Sequence, residues 1–256
     1  MERFFVDKDS IVRRIWGKAD TVLFIFAGAA AEFALNKAVD WLYFTGRLPA
    51  DPLGRLFSTV TYSREIIFSN EEQASTSIDQ ITAIHKGVEK SRGAQIPDWA
   101  YRDVLFMLID YSIRSFELLE RKLDIAEKTE VFRVFYRVGD RMNLAGLPGN
   151  YNDYCLMRAE HLEQNLISSK LTIDLYSKYK NHLGIVRYAI LKQVQATLVP
   201  TKVKALLPIE SAGWITPLLA LYKVLKLAGL EKPFKNALLP AAYKEQIKAM
   251  DNGGVL

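Results

Sequence analysis

The chain has 256 residues, 50% apolar and 25% charged, with a formal net charge of +5. A core of this size needs no disulfide staples, and the single cysteine, Cys155, excludes an internal disulfide and any multi-cysteine zinc or iron–sulfur site. Bases and acids are interleaved, which argues against nucleic acid as a partner; peripheral contact with an anionic membrane surface stays open.

The opening stretch, MERFFVDKDSIVRR, is too polar for a secretory signal, so a cytoplasmic setting is expected, with membrane association allowed. Asp9 or Ser10 can cap a short helix carrying Ile11, Val12, Ile15 and Trp16, which Gly17 closes. Asp20 is then expected to cap a long apolar helix. The apolar run 21–44 contains Glu32, Lys37 and Asp40, each costly at a bilayer centre, so it reads as buried helix rather than a membrane span. Gly28, Ala29, Ala30 and Ala31 leave one stretch of it almost without bulk, where another helix or a flat ligand can come close. Residues 45–50 read as a loop.

Two helices follow with a break at Ser69-Asn70. Asp51 caps the first and Pro52 suits its first position, where no amide donor is needed; Arg55 and Thr59, four apart, share a face. Asn70 caps the second, with Glu71 and Glu72 in the turn where the helix dipole favours negative charge. Its apolar stripe is Ile78, Ile81, His85 and Val88, which turns His85 inward among aliphatic neighbours.

Pro97-Asp98 starts a long helix over 99–122 with Asp110 inside its apolar face, where an acid is paired or functional. A helix from Thr129 or Glu130 runs to Met142, a Gly/Pro/Asn-rich loop spans 144–152, and helix resumes over 154–166. Further on, 171–179 and 183–198 are helical by period, and Val199-Pro200 and Leu207-Pro208 break the chain. Residues 214–230 form an apolar helix with Lys223 and Lys226 that packs in the core, covers a pocket or lies on a membrane surface; 239–250 is a last amphipathic helix before a mobile DNGGVL tail. No run alternates as a half-buried strand does, so the class is all-α.

Walker-type, G-x-G-x-x-G and G-x-S-x-G loops are absent, and a di-iron bundle would need Glu-x-x-His on two helices, which the sequence lacks. A three-histidine zinc site would have to use His85, His161 and His182, and the latter two fall in charged or polar stretches that read as exposed. What survives is a site with one protein ligand, and haem asks for a single axial histidine. On pattern alone His85 is either a satisfied core histidine or that ligand.

DPLGRLFSTVTYSREIIFSNEEQA followed by IHKGVEKSRG resembles the family of MpaB-type oxygenases and latex-clearing proteins, the rubber oxygenases. That family shows Asp-Pro-x-x-Arg-x-x-x-Thr, here Asp51, Pro52, Arg55 and Thr59. A segment like Val-x-Phe-Gly follows, here residues 66–69. An acidic helix then ends in Leu-His-x-x-Val, here Ile84, His85 and Val88. A later element like Leu-Val-Asp-Ser-x-x-Arg-x-Tyr-Glu is matched by 108–117, and the resemblance covers about 16–166. It implies a globin-like helical core of about 10–168 holding haem b, with a helical extension over 169–256 in one domain. It also implies His85 as the iron ligand and Arg55 and Thr59 on the distal side, Arg55 offering fixed donors to an anionic oxygen or a propionate. The implied chemistry is oxidative, using dioxygen or peroxide on a small apolar, isoprenoid or lipid-like substrate. Three positions depart from the family: Ser58 stands where rubber-cleaving members have a distal lysine, Leu105 where a second histidine is usual, and Lys37-Ala38 where His-Pro is usual. Two other readings remain, a haem-binding sensor or carrier without turnover and a haem-free lipid-binding module.

Overall fold

A computed structural model describes residues 3–207, 209 and 213–227. The helix expected over 239–250, the tail and the end of the 214–230 helix lie outside the described residues. Every regular element described is a helix, and strand-like pairing is limited to isolated bridges at Phe4–Asn70 and Asn36–Leu166.

The order is α1 (Ile11–Trp16), α2 (Ala19–Leu35), α3 (Val39–Phe44), α4 (Arg47–Ala50), α5 (Pro52–Phe68) and α6 (Glu71–Arg92). Then come α7 (Asp98–Leu119), α8 (Ile125–Arg141), α9 (Tyr151–Gln164), α10 (Lys170–Leu198), α11 (Thr201–Leu206) and α12 (Ile215–Leu227). The caps explain most starts. Ser10, Asp51 and Asn70 accept from Val12 N (3.0 Å), Gly54 N (2.8 Å) and Gln73 N (2.9 Å). Gly93 ends α6 in the left-handed conformation, φ 69°, which glycine reaches without a Cβ clash.

Four expectations are corrected. The apolar run 21–44 is broken after Leu35, because Asn36 bonds back to Ala38 N (2.8 Å) and pairs with the α9 end. Residues 47–50 are helix rather than loop. α8 starts four residues earlier than Thr129, on a reciprocal cap in which Asp124 accepts from Glu127 N (2.9 Å) and Glu127 from Asp124 N (3.1 Å). Asp20 is no cap, since α2 already begins at Ala19. It is buried, and accepts from Tyr222 (2.7 Å) and Lys226 (2.6 Å) of α12, partners no local pattern could announce.

α2 is central, packed against α7 and α10. At Gly28 an added Cβ would lie 2.3 Å from the Tyr111 ring, so glycine is what lets α2 and α7 approach. α10 is a hairpin in fact. A straight helix would separate residues 176 and 195 by about 28 Å, yet Tyr176 donates to Gln195 Oε1 at 3.0 Å, and Gly184, φ 72° and ψ 173°, makes the turn. The two arms match the helices expected over 171–179 and 183–198. One large apolar core joins α1, α2, α5–α8 and the second arm of α10, and a smaller one joins Ala34, Val39, Leu48, Leu175 and Tyr179.

Candidate functional site

A cavity of about 300 Å3 lies among α2, α3, α5, α6, α7 and α8. That is the low end of the range of roughly 300–1,000 Å3 for small-molecule and cofactor sites. Its wall is mainly aliphatic and aromatic, with Arg55, Thr59, Tyr62, Ser63, His85 and Tyr101 as polar members. Arg55, Thr59 and His85 therefore line one space. Ala29 and Ala30 line it as well, whereas Gly28 packs on the Tyr111 ring and Ala31 is fully buried, so the small-residue stretch is split between helix packing and the cavity wall. Ile84 and Val104 line the cavity and are 46% and 40% exposed, which marks its mouth.

His85 stands on the wall through the α6 stripe, with Ile78 fully buried two turns before it. Its Nδ1 is buried and has no hydrogen-bond partner. Burial, then the nearby positive Arg55, push its pKa down to about 4 against a weaker opposing pull from Glu89, so the ring is neutral at pH 7. The Tyr101 ring meets it edge-on, 5.2 Å between centroids at 84°. Tyr101 donates to Glu89 Oε1 (3.1 Å), which also accepts from Ile96 N (3.0 Å). Burial and Glu89 hold the Tyr101 hydroxyl protonated, well above its ordinary value.

On α5, Arg55 Nη1 donates to Ser58 Oγ at 3.1 Å, and Ser58 and Thr59 donate to the Arg55 carbonyl at 2.8 and 3.2 Å. Ser58 thus holds the guanidinium. Leu105 is buried and lines the cavity, so that wall is apolar. Trp41 lines it from α3; Arg92 of α6 stacks over its ring at 4.0 Å and bonds Asp40 at 2.7 Å, tying α3 to the end of α6.

Behind the cavity lies a buried ion network. Arg158 of α9 grips both oxygens of Glu32 and bonds Asp110 at 3.0 Å; Tyr111 donates to Glu32 at 2.8 Å, and Arg114 to Asp110 at 2.8 Å. Burial works against the Arg158 charge, but Glu32 and Asp110 outweigh it and raise its pKa far above the ordinary value. Asp110 is therefore a paired structural acid.

His161, expected to be exposed, is 8% exposed and pairs through Nδ1 with Asp103, which also accepts from Asn36 (2.7 Å) and Asn165 (2.9 Å). The helical spacing Tyr154, Arg158, His161 announces that buried face; the charged neighbours in RAEHLEQ obscure it. His182 is exposed, as expected. Sequence reasoning missed Tyr101, although it lies one turn before Leu105 on the same α7 face.

Among the described residues no three His, Cys, Asp or Glu side chains cluster as a metal site. The donor set fits a different group: one neutral imidazole with an unsatisfied buried nitrogen, on an apolar wall with two alanines, suits a flat macrocycle that brings its own metal and asks one ligand of the protein. A family model described as ER-bound oxygenase mpaB/B'/Rubber oxygenase, catalytic domain, matches residues 13–230, well past the 16–166 span of the motifs. No curated protein and no solved structure matches the chain.

Proposed function

The chain belongs to the MpaB/rubber oxygenase catalytic-domain family, and from that premise we propose that it is a haem b-dependent oxygenase acting on an apolar, isoprenoid or lipid-like substrate. The observation that carries this reading is the unpartnered, uncharged His85 imidazole on the wall of an apolar cavity that also holds Arg55 and Thr59. Haem b, when bound, supplies iron for the activation of dioxygen or peroxide.

The chain's own residues do the rest. His85 offers a neutral nitrogen and loses little by doing so, because its low pKa means no proton must be displaced at pH 7. Its Tyr101 neighbour fixes the ring plane, and Tyr101 is fixed in turn by Glu89. Arg55 supplies a charge that cannot be lost, steadied by Ser58, to stabilise negative charge on oxygen or to pair with a propionate. Thr59 spends its proton on the Arg55 carbonyl, so its oxygen is left to accept a hydrogen bond. The aliphatic and aromatic wall excludes water and selects substrates without charge.

The test is to reconstitute the purified chain with haem, record its absorption spectrum and repeat with His85→Ala. A Soret band that shifts or vanishes in the variant is expected. No Soret band in the wild type overturns the cofactor assignment, and an unchanged spectrum in the variant overturns His85 as ligand. Oxygen consumption with an apolar polyene then separates turnover from storage or sensing of haem.

A further inference from the structure

The α10 hairpin carries a surface that the cavity does not explain. At its turn Ile185 and Val186 are 76% and 72% exposed, the most exposed of the large apolar side chains described. They follow Gly184, whose backbone angles break the helix and thrust the pair outward. Around them the chain is basic: Lys178, Lys180, Arg187 and Lys192 lie within two turns, and no acidic residue occurs between Asp174 and Glu210. No ion pair among the described residues neutralises any of the four, and the Arg187 Nε is buried without a hydrogen-bond partner.

An aliphatic point ringed by unpaired cations is costly to leave in water and is matched by an anionic lipid surface. The apolar pair can enter the acyl boundary, while long basic side chains reach back to phosphates. Nucleic acid would be met by aromatic rings for stacking, and the tip offers aliphatic branches instead. We propose that the α10 turn docks this protein on anionic bilayers, with Ile185 and Val186 inserted and Lys178, Lys180 and Arg187 on lipid headgroups. Tyr179, five residues before Gly184 on the first arm, lines the cavity. Docking there sets the cavity close to the phase in which apolar molecules are dissolved. The docking does not rest on the oxygenase reading, because none of its residues is among the candidate cofactor contacts.

The experiment is co-sedimentation of the full chain with phosphatidylcholine vesicles and with phosphatidylcholine–phosphatidylserine vesicles, with and without added haem. Binding to the anionic vesicles alone is expected, falling as salt rises. The double variant Lys178→Glu/Lys180→Glu loses roughly fivefold or more in affinity per lysine, and Ile185→Ser/Val186→Ser loses tenfold or more, both with unchanged circular dichroism. As a check free of folding effects, Cys155→Ser/Ile185→Cys bearing an environment-sensitive dye brightens on anionic vesicles. The proposal is overturned if the wild type stays in the supernatant, if the Ile185→Ser/Val186→Ser variant binds as the wild type does, or if the dye emission does not move. Preference for polyuridylate over the vesicles overturns it in favour of nucleic acid. A change of molecular mass in solution in the serine variant overturns it in favour of contact between copies.

Discussion

At the residue scale, His85 carries a pH signature of its own in the cofactor-free chain. Its ordinary pKa is 6.5 and its folded pKa is about 4. As pH falls through 6.5 the unfolded chain takes up a proton that the folded chain refuses, so stability drops towards pH 4 and is complete above 6.5. The amount at stake is on the order of 3 kcal/mol. Urea titrations between pH 4 and 7.5 are expected to show this loss in the wild type and a shallower one in His85→Leu; parallel slopes would show that the imidazole is not buried. Arg55 makes the second prediction. Arg55→Gln, which removes the charge and keeps a donor, is expected to lower turnover of the haem-loaded chain roughly 100- to 1,000-fold while sparing the Soret band. Full activity in that variant would reduce Arg55 to a packing residue. That these side chains face one cavity was legible because short-range spacing on α5 and α6 decides which face each shares, whereas the roles proposed for them come from the family resemblance. His161 was not, since its partner Asp103 sits 58 residues away and only the fold brings them together.

At the element scale, α2 is held to α7 through Gly28 on Tyr111 and to α9 through Glu32 in the grip of Arg158. Glu32 is 1% exposed, so Glu32→Leu leaves the Arg158 charge facing Asp110 alone in a dry interior. A loss of about 3–5 kcal/mol is expected, read as a fall in denaturation midpoint, with the double variant Glu32→Leu/Arg158→Met recovering most of it. No recovery would mean the pair does more than neutralise itself. The caps were largely readable from sequence because Ser10, Asp51 and Asn70 accept from backbone N–H donors within three residues of themselves. The α8 cap at Asp124 obeys the same rule, but Ile125 beside it is exposed and hides the start of the apolar period, which deferred the expected start to Thr129. Asp20 shows the opposite limit: an acid after Lys18 looks like a cap, and only α12, about 200 residues on, reveals its role.

At the scale of the molecule, the segment beyond residue 168 does not behave as an appendage. Thr172 donates to the Ala34 carbonyl at 2.7 Å and Gln195 to the Ala27 carbonyl at 3.0 Å, so both arms of α10 bond to the α2 stretch that carries Ala29 and Ala30. Lys226 of α12 bridges Asp20 and Glu120, joining the ends of α2 and α7. Val194, Leu198, Val203 and Leu207 are buried in the same core as Trp16 and Ile109. Each such side chain contributes about 1.5–3 kcal/mol on burial, so losing four removes as much as the whole stability margin of about 5–15 kcal/mol. We therefore propose that α10–α12 fold in one cooperative unit with α1–α9, in keeping with a family match that runs to residue 230. A fragment ending at residue 168 is expected to lack a sharp thermal transition and to be cut by protease within α2. A fragment ending at 227 is expected to melt cooperatively near the full chain. Should the shorter fragment melt cooperatively and hold haem through His85, the site would belong to 10–168 alone and α10–α12 would be free to serve the membrane.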